Sequence, residues 1–278
     1  MDRRQFTKLA LLGAGLAPFT NVAQALESEA SKKSRAEAKS HKAHEAFMAL
    51  DGVKMTGSEQ IAMLIYPGFT SLDLIGPQYL FASMMGAKIY LISRNNDLSP
   101  VMSDTGVAIV PTHTQSECPE ALDILFLPGG SSGTVEAMKD AAFIEFIKRK
   151  AASSKYVTSV CTGSMLLGKA GLLQGKKATS HWIALDLLAH FGAIPMKERV
   201  VWDGNLITGG GVTAGIDFAL QIIAALRGKA YAEMVQLQAE YDPAPPYNSG
   251  SPDKADANIT QMLKGMFEVL HTNIEMAI

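Results

Sequence analysis

The stretch Lys155–Leu173, KYVTSVCTGSMLLGKAGLL, decides the fold of this chain. Tyr156–Val160 is a short β-prone run and Gly163–Leu173 carries helix formers, so Cys161 falls at the join of a strand and a helix. A cysteine there lies beside unpaired backbone N–H groups and the positive end of a helix dipole, and both favour the reactive thiolate. Ser159, Thr162, Gly163 and Ser164 are small enough to leave the sulfur approachable in a sharp turn. The plainer reading of Cys161 is a small buried hydrophobe, the usual fate of a cysteine.

Working outward from this point, the same strand-to-turn pattern recurs twice upstream. Ile61–Tyr66 is a continuous apolar run of strand length broken by Pro67-Gly68, and the following segment Thr70–Met84 reads as helix. That segment holds one carboxylate, Asp73, among Leu72, Leu74 and Ile75, either as a helix cap or as a group with altered proton affinity. Ala121–Leu127 is a second buried run, ending in Pro128-Gly129-Gly130-Ser131-Ser132-Gly133. This turn lacks the GK[ST] ending and the GxGxxG spacing of phosphate loops. A backbone N–H that stabilises developing negative charge fits it better.

The remaining elements complete an alternation. Ala87–Ser93 and Val107–Pro111 read as strands, Val135–Ser153 as a helix, and Arg199–Asp203 with Asn205–Thr208 as a hairpin around Asp203-Gly204. Ser180-His181-Trp182 precedes a helix over Ile183–Phe191, and helices follow over Thr213–Leu226 and Ala230–Tyr241. The expected fold class is α/β, a three-layer sandwich with a mainly parallel sheet covered on both sides. In such sheets the functional crevice lies outside the carboxyl ends of the strands. Asp73, the Gly129-Gly130 turn and Cys161 each follow a predicted strand, so all three should collect along one edge.

The 278 residues are 47% apolar, enough for one α/β domain of ordinary size with appendages. A net charge of −2 gives no electrostatic argument for a nucleic-acid partner. Cys118 and Cys161 cannot make a disulfide framework, and neither CxxC nor HExxH occurs, so no metal site and no cofactor is expected.

The flanks are of a different character. Arg3-Arg4-Gln5-Phe6-Thr7-Lys8 precedes an apolar stretch from Leu9 to Ala17, and Ala23-Gln24-Ala25 closes it. This resembles a twin-arginine export signal over residues 1–25 and implies a mature start at Leu26 and a periplasmic location. Its apolar core is too short for a permanent membrane anchor. Residues 26–59 read as a helical or flexible leader, and 60–241 as the folded domain. Residues 242–278 read as a linker with one amphipathic C-terminal helix.

The motifs PGFTSLDLIGP (67–77), LPGG (127–130), VCTGS (160–164), ATSHW (178–182) and TGGGVTAGIDFAL (208–220) resemble the ThiJ/PfpI superfamily. The resemblance implies a flavodoxin-like fold related to the class I glutamine amidotransferases, and a homodimer acting on a small molecule. The motif set is closest to members that hydrate isonitriles to N-substituted formamides. It assigns the nucleophile to Cys161, the essential aspartate to Asp73 and a supporting threonine to Thr162, with His181 at the edge of the pocket. Protease-like members carry histidine directly after the cysteine, where this chain has Thr162. Two other readings use the same fold: a glyoxalase or deglycase acting on reactive carbonyls, where a glutamate tends to replace Asp73, and a non-catalytic periplasmic binding or redox-sensing protein.

Overall fold

The computed structural model describes residues 17–278, with side chains from residue 29 onward. Arg3, Arg4 and nearly all of the apolar stretch of the expected export signal lie outside the described residues. The chain divides into two units at Val53/Lys54. In the first, helix α1 (Ala17–Met48) carries the Lys-, Glu- and Ala-rich leader, with its described side chains almost all exposed. Such a composition has little to bury, so the helix forms without a core of its own. Among the described residues, no helix is long and apolar enough to cross a membrane.

The second unit, Lys54–Ile278, is organised on a six-stranded sheet in the order β2-β1-β5-β6-β10-β9. Strands β1 (Gln60–Ile65), β2 (Lys88–Ser93), β5 (Leu122–Leu127), β6 (Ser154–Val160) and β10 (Leu206–Gly209) run parallel. In this sheet the edge strand β9 (Val200–Asp203) is antiparallel, in a hairpin with β10, while β7 (Lys177–Ala178) and β8 (Ile194–Pro195) form a separate parallel pair. Ile61–Ile65 and Ile124–Leu127 are fully buried, as unbroken apolar runs must be when helices cover both faces of a sheet. Helices α2 (Ser71–Ala82), α6 (Ala214–Arg227) and α7 (Lys229–Gln238) pack as one group. Helices α3 (Ser132–Met138), α4 (Ala141–Ala152) and α5 (Gly163–Lys169) pack as another, and these groups are the outer layers.

From β1 the chain moves outward to β2, then returns past β1 to add β5, β6 and β10 on the other side. The switch in direction opens a crevice at the carboxyl ends of β1, β5 and β6, which are neighbours in the sheet. Asp73, Gly129-Gly130 and Cys161 follow those three strands in turn.

Four expectations about elements are corrected. The strand expected at Val107–Pro111 shrinks to β4 (Ala108–Ile109), which pairs with β3 (Val101–Met102) in a hairpin outside the main sheet. The helix expected over Val135–Ser153 is two helices, because the Asp140 carboxylate accepts the Phe143 N–H at 3.0 Å and starts α4 afresh. The segment expected as a helix over Ile183–Phe191 holds a 3₁₀ turn at Asp186–Phe191. The C-terminal helix is also two, α8 (Ala257–Met266) and α9 (Glu268–Ala277), broken at Phe267, whose ring packs 6.3 Å from that of His181. Beyond these, Arg227 at the end of α6 is fully buried against Glu59, with the carbonyls of Lys54 and Met85 accepting from two more of its N–H groups. A buried cation is tolerated only when it is paired and hydrogen-bonded in this way.

Candidate active site

Cys161 follows β6 with φ of 58°, one of three described non-glycine residues with a positive value. A left-handed turn costs an ordinary side chain free energy, so the surroundings must hold it. They do so through the backbone on both sides. The Cys161 N–H donates to Gly210 O at 2.7 Å and Gly209 O at 3.0 Å, and the Cys161 carbonyl accepts from Ser180 Oγ (3.0 Å) and Ser164 Oγ (3.1 Å). Gly163 must be glycine: a Cβ there would sit 2.4 Å from Leu127 O. The result is a sharp strand-to-helix turn of the elbow type at the carboxyl end of β6. Cys161 retains 6% of its surface exposed.

Asp73 comes to the same place from α2. It sits in the first turn of that helix but caps nothing: the N-cap is Thr70, and Asp73 Oδ2 instead accepts the Gly129 N–H at 2.9 Å. Of the two roles open to it in the sequence, the altered proton affinity is the one realised. The carboxyl is completely buried, and burial pushes its pKa up to about 7, with the Gly129 N–H and the Cys161 thiol acting in the opposite direction. Its second oxygen, Oδ1, is buried without a hydrogen-bond partner.

The expectation that the helix N-terminus would hold the sulfur as an anion is corrected. Burial, and then the negative charge of Asp73, push the Cys161 thiol well above its ordinary range. The Thr162 N–H lowers it, but burial and the Asp73 charge prevail. At rest the sulfur is therefore a thiol beside a carboxyl group poised at neutral pH.

Thr162 and the glycine turn form one network. Gly130 N–H donates to Thr162 Oγ1 at 2.9 Å, and that hydroxyl donates back to Gly130 O at 2.7 Å. Thr134 Oγ1 lies 3.0 Å from Thr162 Oγ1 and donates to Gly130 O. Tyr66 Oη donates to Pro128 O and lies 3.0 Å from Thr134 Oγ1. The Gly129 and Gly130 N–H groups are thus committed to Asp73 and Thr162, and the expected use of this turn as a free charge-stabilising cradle is corrected to one of holding the two side chains. A Cβ on Gly129 would meet Thr162 N at 2.6 Å and Asp73 Oδ2 at 2.8 Å, so the turn can be this close only as glycine.

His181 stands apart. Burial lowers its pKa, so it is neutral at pH 7, and its ring packs against Trp182 and Phe267. It is not among the groups acting on the Cys161 proton. It flanks the elbow all the same, since its ring faces Gly211 and its neighbour Ser180 bonds the Cys161 carbonyl. An open groove of about 710 Å³ lies beside Trp182, between Asp186, Lys197, Lys264 and His271, and does not include Cys161. Sequence reasoning did not single out Tyr66, Thr134 or Ser180. Tyr66 closes an apolar run and reads as core, and the two hydroxyls have no local pattern to distinguish them.

The DJ-1/PfpI family model matches residues 59–225, more than half of the chain. The chain belongs to the DJ-1/PfpI family. It is 52% identical over 200 residues to the isonitrile hydratase of Pseudomonas putida, covering 72% of this chain and 86% of that protein. The crystal structure of a ThiJ/PfpI family protein from Pseudomonas syringae superposes with a TM-score of 0.79 at 51% identity, over 82% of this chain and 93% of that one. Drosophila melanogaster DJ-1beta, at 24% identity and a TM-score of 0.60 over 67% of this chain and 100% of its own, shares the fold. The class I glutamine amidotransferase-like α/β fold expected from the motifs is thereby shown.

The coupling of thiol and carboxyl has a direct check. Replacing Asp73 by Asn removes the negative charge that raises the Cys161 pKa, so the Cys161 thiolate should form at lower pH. Peptide mass spectrometry of iodoacetamide labelling against pH should show the Cys161 midpoint moving down in Asp73→Asn with Cys118 unaffected. An unchanged Cys161 midpoint would break the pair apart.

Proposed function

We propose that the protein is a cysteine-dependent hydro-lyase that adds water to an isonitrile and releases an N-substituted formamide. The observation that carries this reading is the buried Cys161–Asp73 pair, with Thr162 directly after the cysteine, in a chain 52% identical to isonitrile hydratase. An isonitrile carbon carries a lone pair and resists nucleophiles until it is protonated. The site needs a soft nucleophile and a proton at the same point, and one shared proton supplies both.

In the proposed sequence Asp73 takes the thiol proton and delivers it to the terminal carbon as Cys161 sulfur attacks that carbon, giving a thioimidate, R–N=CH–S–Cys161. Asp73, now a carboxylate, accepts a proton from water as its oxygen adds to the carbon, and passes that proton to nitrogen. The C–S bond of R–NH–CH(OH)–S–Cys161 then breaks. The hydroxyl proton returns to the pair, and R–NH–CHO leaves. Thr162 steadies the sulfur through its N–H, Gly129 and Gly130 hold Asp73 and Thr162 in place, and His181 forms part of the pocket edge.

Incubation with a simple alkyl isonitrile should give a product heavier by one water in mass spectrometry. Cys161→Ala should abolish it, and Asp73→Asn should reduce turnover about 10²- to 10⁴-fold. The active pair holds one proton, so the rate should rise with pH through about 7, the Asp73 step. Undiminished turnover in either variant would overturn the assignment, and turnover of methylglyoxal instead would favour the reactive-carbonyl reading.

Two further expectations are proposed with it. Leu72, Ile75 and Tyr79 form an exposed apolar stripe at helical spacing on α2, the helix that carries Asp73, and a second copy of the chain is proposed to cover it. Light scattering should find a dimer that Ile75→Glu converts to monomer; a monomeric wild type would remove this proposal. Residues 1–25 are proposed to direct twin-arginine export to the periplasm. Replacing Arg3 and Arg4 together by Lys should leave the protein in the cytoplasmic fraction, and unimpaired export would count against that route.

A further inference from the structure

The β3–β4 hairpin was expected only as a strand, yet its tip reaches the candidate site. The tip is closed by Ser103, whose N–H donates to Val107 O and whose hydroxyl accepts the Val107 N–H, both at 2.9 Å. It is fastened to the loop between β1 and α2 at four points. Gly68 N–H donates to Met102 O (2.8 Å), and Asp104 N–H donates to Phe69 O (2.9 Å). Thr70 Oγ1 donates to Asp104 Oδ2 at 2.5 Å, and Ser71 Oγ lies 2.8 Å from Thr105 Oγ1.

Thr70 is the N-cap of α2, yet its side chain makes no capping bond. Its hydroxyl goes to Asp104, while its N–H donates to Gly129 O at 2.8 Å. The start of the helix that presents Asp73 is therefore held from outside, by a carboxylate on one side and by the glycine turn on the other. Asp104 is exposed, and its negative charge acts on both Asp73 and Tyr66. The other ionisable groups facing Asp73 are the Cys161 thiol from the elbow and the Tyr66 phenol from the end of β1. Among the described residues no cation is counted with the groups that shift Asp73.

We propose that Asp104 is a positioning residue for the catalytic pair: it clamps the start of the Asp73 helix, and its negative charge strengthens Asp73 as the acceptor of the Cys161 proton. The proposal rests on the hydratase reading above. In that reaction the thiol proton must pass to the carboxylate before it reaches substrate carbon, and a weakly basic carboxylate makes the transfer uphill. A like charge outside the pocket narrows the gap without occupying space within it.

The two roles separate by substitution. Asp104→Asn keeps an oxygen to accept from Thr70 and removes the charge; Asp104→Glu keeps the charge; Thr70→Val removes the hydroxyl and leaves the charge. The readout is the carboxylic C=O band of Asp73 followed against pH by infrared difference spectroscopy at low salt, assigned by its loss in Asp73→Asn. Wild type and Asp104→Glu should titrate together, and Asp104→Asn lower by about half a pH unit. That difference should shrink as salt is raised. Kinetically, Asp104→Asn should move the acidic limb down by the same amount and lower plateau kcat about three-fold, through the weaker base. An unmoved band in Asp104→Asn, or an equal shift in Thr70→Val, would overturn the role of the charge. If the band moves as expected while wild type hydrates no isonitrile, the reaction assignment falls and the electrostatic coupling of Asp104 to Asp73 stands.

Discussion

A thiol and a carboxyl group buried side by side cannot both give up their protons, and the arrangement of this protein's crevice follows from that constraint. Each negative charge would be formed out of water, so burial raises both affinities, and the charge of Asp73 raises that of the Cys161 thiol further. The consequence is a pair that passes from two protons to one near neutral pH and does not readily lose the last. A surface cysteine would be more readily ionised but would have no acid beside it.

Holding such a pair requires close approach of three chain segments, and small residues permit it. Gly129 passes between Thr162 and Asp73 where a methyl group would strike both, and Gly163 lets the elbow press on the end of β5. The N–H groups of Gly129 and Gly130 are spent on fixing Asp73 and Thr162. Strain at Cys161 is met by bonds to β10 and from Ser180, so its side chain is placed by backbone that the sheet itself makes rigid.

Much of this was legible before any coordinates. The apolar runs Ile61–Tyr66 and Ala121–Leu127 had to be strands buried on both faces, and the Pro-Gly breaks after them had to lie at their carboxyl ends. The convergence of Asp73, Gly129-Gly130 and Cys161 followed from the alternation of strands and helices. The role of Asp73 was open, because an acid one turn into a helix usually caps it; only the position of the Gly129 N–H decides otherwise. The sulfur's ionisation was misjudged because the strand–helix join reports a local dipole, whereas burial is set by everything packed around it. Asp104 gave no signal at all, since a lone acid in a polar turn looks like any solvated residue.

The sequence by itself determined the α/β alternation, the elbow at Cys161 and the glycines that make its neighbourhood passable, because strand periodicity, turn chemistry and the lack of a side chain are properties of short stretches. Tertiary structure alone decided which proton stays on which atom, which N–H groups are already taken, and that a hairpin more than thirty residues downstream holds the start of the Asp73 helix. Those are consequences of distance and exclusion of water, and neither quantity exists until distant segments have been brought together.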